Sequence, residues 1–151
     1  MDDQDNVKLI RQCYDAFLQG DIERLLSVMT QDIDWQLPQM EGVPYGGRRH
    51  GIDQVREFFQ LLGAAQKPLE FHPGEFVAHG DRVVVFGHYE WALHAGGREW
   101  GSDFAHSFRI RHGQLAAFHE YMDTHAAVEA YRSGAAPGAV RTEQPGQPSI
   151  H

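Results

Sequence analysis

The chain carries ten histidines and a single cysteine, Cys13. A lone cysteine closes no internal disulfide, and without a Cys-x-x-Cys pair it builds neither a structural zinc site nor a two-thiol redox centre. The histidines also lack a metal-ligand pattern. No His-x-x-x-His or Glu-x-x-His pair falls on a segment of helical periodicity, and His119 with His125 straddles a strand end. Neither a metal nor a cofactor is expected. A carboxylate beside an imidazole fixes its tautomer and raises its basicity toward neutral pH, the arrangement that proton transfer uses. His106 precedes a hairpin whose turn type decides which residues of the next strand share its face. A two-residue turn at His112-Gly113 puts His119, Tyr121 and Asp123 on the face of His106. A three-residue turn with Gly113 left-handed puts Phe118, Glu120 and Met122 there instead. Composition leaves both open.

Those strands need a scaffold. From Asn6 to Gln19 the apolar residues Val7, Ile10, Tyr14, Phe17 and Leu18 recur at three and four, the stripe of an amphipathic helix that Gly20 stops. Asp21 caps a second short helix with Ile22, Leu25, Leu26 and Met29 on its buried side. A strand follows from Ile33 to Leu37, then a glycine-rich loop from Met40 to Gly51 long enough to cover something. Helical spacing returns from Ile52 to Gly63, and the chain is strand-rich up to about Thr124.

Between Arg82 and Ala95 both alternate sets are partly apolar, so this sheet is expected to be covered by helices on one side and by a second subunit on the other. Gly96-Gly97 predicts a two-residue turn pairing Ala95 with Arg98, Tyr89 with Phe104 and Gly87 with His106. A short helix is expected from about Ala126 to Arg132. Ser133 to His151, rich in Gly, Pro and Gln, reads as a disordered tail. Helices first and an antiparallel meander afterwards is an α+β order, with three N-terminal-half helices on one face of a curved sheet.

The chain's 151 residues suit one domain, residues 1–132, and 42% hydrophobic residues give it enough apolar surface for a core. A formal charge of −8 repels phosphate backbones and anionic lipid, which argues against nucleic acid and membranes as partners. The N-terminus, Met1-Asp2-Asp3-Gln4-Asp5, is acidic where a signal peptide is basic, and no apolar run approaches the roughly 18 residues of a membrane span, so a cytoplasmic location is expected.

Five segments together resemble one family. They are Tyr14-Asp15-Ala16-Phe17 with Gly20-Asp21; Asp32-Ile33-Asp34-Trp35; Pro44-Tyr45-Gly46-Gly47 leading through Gly51 into Val55-Arg56-Glu57-Phe58-Phe59; His106 through Gly113; and Glu120-Tyr121-Met122-Asp123-Thr124. They resemble the SnoaL-like polyketide cyclase and ketosteroid isomerase-like group of the nuclear transport factor 2 superfamily. The resemblance implies a cone-shaped, cystatin-like mixed sheet around one pocket. The isomerase's catalytic tyrosine falls on Cys13, with Tyr14 one place later and about 100° further around the helix. Its general-base aspartate falls on Leu37 before Pro38, so a steroid isomerase is not implied. Its protonated aspartate falls on His106, and that isomerase is the standard case of a carboxylic acid kept neutral to donate a hydrogen bond.

The cyclases resemble this chain more closely. They pair a histidine on the penultimate strand with an acid on the last, which selects Glu120 and, with it, the three-residue turn. His106 would then face Phe118 directly and meet Glu120 on the diagonal. The resemblance implies a catalytic set of His106, Glu120 and Tyr14. It implies a pocket wall of Trp35, Leu37, Tyr45, Phe59, Tyr89, Trp91, Phe104, Phe118 and Met122. Two functions follow as expectations: cofactor-independent isomerase, cyclase or lyase chemistry on a hydrophobic carbonyl compound, or non-catalytic binding of a small hydrophobic metabolite. Asp103 alternates to the face opposite His106, and Asp123 has the wrong parity unless a bulge resets it.

Overall fold

The computed structural model describes residues 2–135. Helix α1 (Asp3–Leu18) begins where the Asp2 carboxylate accepts the Asp5 N–H at 2.8 Å, and α2 (Ile22–Ser27) where Asp21 accepts the Arg24 N–H at 3.2 Å. Then come β1 (Met29–Gln36), β2 (Arg48–His50), α3 (Ile52–Ala65), β3 (Gln66–His79), β4 (Arg82–Leu93), β5 (Glu99–Arg111), β6 (Gln114–Met122) and α4 (Thr124–Ala135). The six strands form one open sheet in the order β2-β1-β6-β5-β4-β3. Only the β1–β6 pair is parallel, so the sheet is mixed. The architecture is α+β with a curved sheet. No helix among the described residues is long and apolar enough to cross a membrane.

The inner face of the sheet carries the buried alternate residues, including Val83, Val85, Tyr89 and Trp91 on β4 and Phe104, His106, Phe108 and Ile110 on β5. Ile10, Cys13 and Tyr14 of α1 and Val55, Phe58 and Leu62 of α3 join them in one core cluster. The three helices supply the cover that the strands' apolar side requires.

The sequence reading departs from the structure in several places. Strand β2 lies inside the segment expected to be irregular. It pairs with β1 at the sheet edge, where Arg48 reaches both carboxylate oxygens of Asp34, at 3.0 and 2.7 Å. The rest of that loop turns inward: Met40, Val43 and Tyr45 are buried, and Arg49 holds the turn by donating to the Tyr45 and Gly46 carbonyls. The β4–β5 turn has four residues, not two, so Leu93 bonds Arg98, Gly87 faces Phe104 and Val85 faces His106. His94 causes the shift, because its N–H bonds the Ala65 carbonyl at 3.0 Å and its ring bonds the Gly63 carbonyl at 3.0 Å, which lifts it off the ladder. A slip of two residues keeps every side chain on its expected face.

The β5–β6 hairpin is a larger correction. Its turn is the two-residue one: Arg111 pairs with Gln114, and His112 and Gly113 both take positive φ, 52° and 76°. The register then shifts by one between Leu115 and Ala117, with Ala116 as the extra residue of a β-bulge. Beyond it, Phe108 faces Phe118 and His106 faces Glu120 directly, not diagonally. The bulge lets both Leu115 and Phe118 face the core, which an odd spacing of three in a regular strand forbids. Helix α4 starts two residues before its expected position, where Asp123 accepts the Ala126 N–H at 3.1 Å, and it runs on to Ala135. The tail expected from Ser133 loses residues 133–135 to α4, and residues 136–151 lie outside the described residues.

Candidate functional site

Four side chains from four elements form one hydrogen-bonded row at the inner face. The Tyr14 hydroxyl, on α1, lies 2.7 Å from His106 Nδ1 on β5. His106 Nε2 lies 2.9 Å from Glu120 Oε1 on β6, and the Tyr89 hydroxyl on β4 donates to Glu120 Oε2 at 2.6 Å. All four are buried, with Tyr89 at 2%, His106 at 4%, Tyr14 at 7% and Glu120 at 9% exposure. A carboxylate out of water needs donors to both oxygens, and Glu120 has them from His106 and Tyr89.

The row also orders its protons. Burial first, then the negative charge of Glu120, holds the Tyr14 hydroxyl well above its ordinary pKa, and the same two causes act on Tyr89. Both phenols therefore stay protonated and donate. With a neutral imidazole, the His106 proton on Nε2 faces the Glu120 carboxylate and the Nδ1 lone pair accepts from Tyr14.

Aromatic rings fix the imidazole. Phe104 stacks on it at 4.1 Å between centroids, and Phe118 meets it edge-on at 4.9 Å. Phe104 can lie there because its partner across the ladder is Gly87. A Cβ at Gly87 would come within 2.5 Å of the Phe104 ring and 2.4 Å of the His72 carbonyl oxygen.

A cavity of about 70 Å³ opens beside the row. That is several times the ~10–15 Å³ that one water needs on the same measure. Tyr14, His106 and Glu120 line it, and so do the expected wall residues Trp35, Leu37, Tyr45, Phe59, Tyr89, Trp91 and Phe118. Phe104 does not: it is packed behind the imidazole, against Tyr89 at 5.1 Å and Phe71 at 5.5 Å. Met122 faces Phe104 across the ladder, half-buried against the core and away from the cavity wall. Tyr89 has a second part that the sequence did not indicate, since its hydroxyl is committed to Glu120.

The sequence reading missed Phe17, Phe58, Phe71 and Gln66, all on the wall. Phe17 and Phe58 lie on the apolar stripes of α1 and α3, so helical spacing carried a signal for them. Gln66 carried none. Cys13 lines the cavity beside Tyr14, and burial pushes its thiol up to about 12. Asp103 lies on the outer face as expected, bonded to His88 at 2.8 Å, and His88 also contacts Glu90. Asp123 caps α4.

The SnoaL-like domain family model matches residues 10–118. No curated protein matches the chain significantly. Among solved structures, an NTF2-like protein from Burkholderia xenovorans LB400 is 28% identical with a TM-score of 0.79, over 87% of this chain and 98% of that one. An NTF2-like protein of unknown function from Burkholderia pseudomallei K96243 is 27% identical, TM-score 0.75, over 84% and 97%. TerC, co-crystallized with polyporic acid, is 32% identical, TM-score 0.75, over 85% and 98%.

Proposed function

This chain belongs to the SnoaL-like domain family, and from that premise we propose that it is a cofactor-independent enzyme moving a proton on a hydrophobic, carbonyl-containing substrate held in the internal cavity. The observation that carries the proposal is His106, fixed between Tyr14 at 2.7 Å and Glu120 at 2.9 Å on the cavity wall.

The chemistry follows from the proton order. A proton leaving the carbon beside a substrate carbonyl passes to Nδ1, directly or through the Tyr14 oxygen. The imidazolium that forms is paired with Glu120, whose charge stabilises it in a buried, largely apolar site. Nδ1–H then donates to the Tyr14 oxygen, which turns the Tyr14 O–H toward the substrate oxygen, where it can steady an enolate or deliver the proton. Isomerisation, cyclisation and elimination all use this step. Tyr89 takes no proton; it holds Glu120 in place.

A second function, storage or sensing of a hydrophobic metabolite without turnover, is favoured by one observation: both imidazole nitrogens are already occupied, so the row is closed until a ligand opens it. Incubating polycyclic ketones with wild type and His106→Ala separates the two. Lost turnover with retained calorimetric binding supports the enzyme. Binding without turnover in either protein supports the binding module.

The outer face supports the homodimer proposal. Phe86, Ala105 and Tyr121 form one row across β4, β5 and β6, with Phe86 48% and Tyr121 53% exposed and Val77 nearby at 46%. Carboxylates at one end (Glu70, Glu90, Asp103) and Arg82 and Arg109 at the other would complement each other in a two-fold pair. Light scattering of Phe86→Asp against wild type tests it, and a wild-type monomer would remove it. The lone buried Cys13 fits the reducing cytoplasm proposed as its location.

A further inference from the structure

The cavity is small for what it is proposed to hold. At about 70 Å³ it is roughly half the ~150 Å³ of an apolar cavity that takes up benzene. Even a single-ring ligand therefore enters only by moving part of the wall. Among the described residues that line the cavity, all but three are buried, and those three are phenylalanines. Phe17 on α1, Phe59 on α3 and Phe71 on β3 are each half-buried. They touch in series across the gap between the two helices and the edge strand of the sheet: Phe59 to Phe17 at 6.0 Å between centroids, and Phe17 to Phe71 at 5.4 Å. These rings are where the lining reaches the surface.

The three rings are not held alike. Phe71 also packs on Tyr14, Tyr89, Trp91 and Phe104, at 5.5 to 6.2 Å. Phe59 also packs on Phe58 at 4.9 Å and on Trp35 at 5.4 Å. Phe17 has no aromatic neighbour among the described residues except the other two rings. It stands in the last turn of α1, which ends at Leu18 shortly before Gly20 takes a positive φ of 75°. A helix end yields at lower cost than a strand or a helix centre held on all sides, so of the three rings Phe17 is the one that can move. The chain next to these rings is apolar and exposed: Leu18 follows Phe17 and is 47% exposed, and Leu69 precedes Phe71 on β3 and is 44% exposed. An apolar molecule meets an apolar rim before it meets the rings.

We infer that Phe17 is the gate of the cavity: its ring swings out from between Phe59 and Phe71, which stay in place as posts, and so opens the cavity to solvent and admits a ligand. The gate rests on the proposed function only for what passes through it. Opening separates Phe17 from both posts, and closing restores both ring pairs, so the shut state is the resting one.

Quenching of tryptophan fluorescence by acrylamide, a small neutral molecule, tests the gate on the full chain without a substrate. Trp35 and Trp91 line the cavity and are 5% and 4% exposed, so the quencher reaches them through the mouth. Wild type should be quenched far more slowly than the unfolded chain. Phe17→Ala removes both ring pairs and should speed quenching about tenfold. Phe17→Leu keeps an apolar side chain, should speed it about threefold, and carries the test if the alanine variant fails to fold. Val83→Ala loosens the core at a residue that is 0% exposed and does not line the cavity, and should leave quenching unchanged. Phe17 variants quenched no faster than wild type, Val83→Ala quenched as fast as they are, or wild type quenched as fast as the unfolded chain would each overturn the gate. The readout involves no turnover, so its failure is separable from that of the catalytic proposal. Turnover that depends on His106, with quenching untouched by Phe17→Leu, removes only the gate, and faster quenching without turnover removes only the enzyme.

Discussion

Tyr14 and His106 stand 92 residues apart in sequence and 2.7 Å apart in space, phenol oxygen to imidazole Nδ1. This contact decides which nitrogen of His106 is basic, because Glu120 holds the proton on the other one. It also makes Tyr14 the group through which the imidazole addresses the cavity.

Tyr14→Phe leaves a buried Nδ1 lone pair without a donor. Stability should fall by about 1–3 kcal/mol. If the hydroxyl carries the proton, kcat on a ketone substrate should fall by roughly 10²- to 10⁴-fold with little change in KM. Urea unfolding and steady-state kinetics check the two parts, and unchanged kcat would remove Tyr14 from the proton path.

Glu120→Gln keeps the shape and deletes the charge that stabilises imidazolium. Its stability cost should stay near 1–3 kcal/mol, since the Tyr89 hydroxyl can rotate to accept from the new amide, while kcat falls on the order of 10²-fold. Tyr89→Phe frees one carboxylate oxygen and should act in the same direction but more weakly. A Tyr89→Phe effect on kcat larger than that of Glu120→Gln would show that Tyr89 does more than hold the acid.

Alkaline pH should unfold the protein. Burial is the first cause holding Tyr14, Tyr45 and Tyr89 above the ordinary value of 10.0. The folded state therefore keeps these protons at a pH where the unfolded state has released them. Their contribution is complete below about pH 10 and declines as pH rises beyond it, by about 1.4 kcal/mol per pH unit for each tyrosine. Urea midpoints measured from pH 8 to 11.5 should drop steeply above 10, with tyrosinate absorbance appearing together with unfolding. Tyrosinate formed well before unfolding would contradict it.

Cys13 should be inert in the native protein, because burial lifts its thiol to about 12 and leaves it 6% exposed. Labelling with an aromatic disulfide at pH 8 should be at least about 100-fold slower in buffer than in 6 M guanidinium. Comparable rates would mean that the α1 face opens readily.

Gly87→Ala drives a methyl into the Phe104 ring and the His72 carbonyl, each within 2.5 Å of its position. The strand or the ring must move, at about 1–3 kcal/mol or more, and the ring that moves is the one stacked on His106. A thermal melt should show the loss, and kcat should fall with it; an unperturbed variant would mean that Phe104 does not position the imidazole.

The amino-acid order alone carried the helices, because their apolar stripes and Asp caps are local. It also carried the facing of β4 and β5, because alternation survives a turn that is two residues longer than expected. The direct His106–Glu120 pairing was beyond it. That pairing depends on Ala116 bulging out of β6, which follows from Leu115 and Phe118 both needing the core, a demand that exists only once helices cover the sheet. The selection of Tyr14 to meet His106 and the commitment of Tyr89 to Glu120 were likewise decided by tertiary structure. Each depends on where a side chain from one element ends relative to atoms on another, and strand periodicity says which face a residue takes but not which atom it reaches.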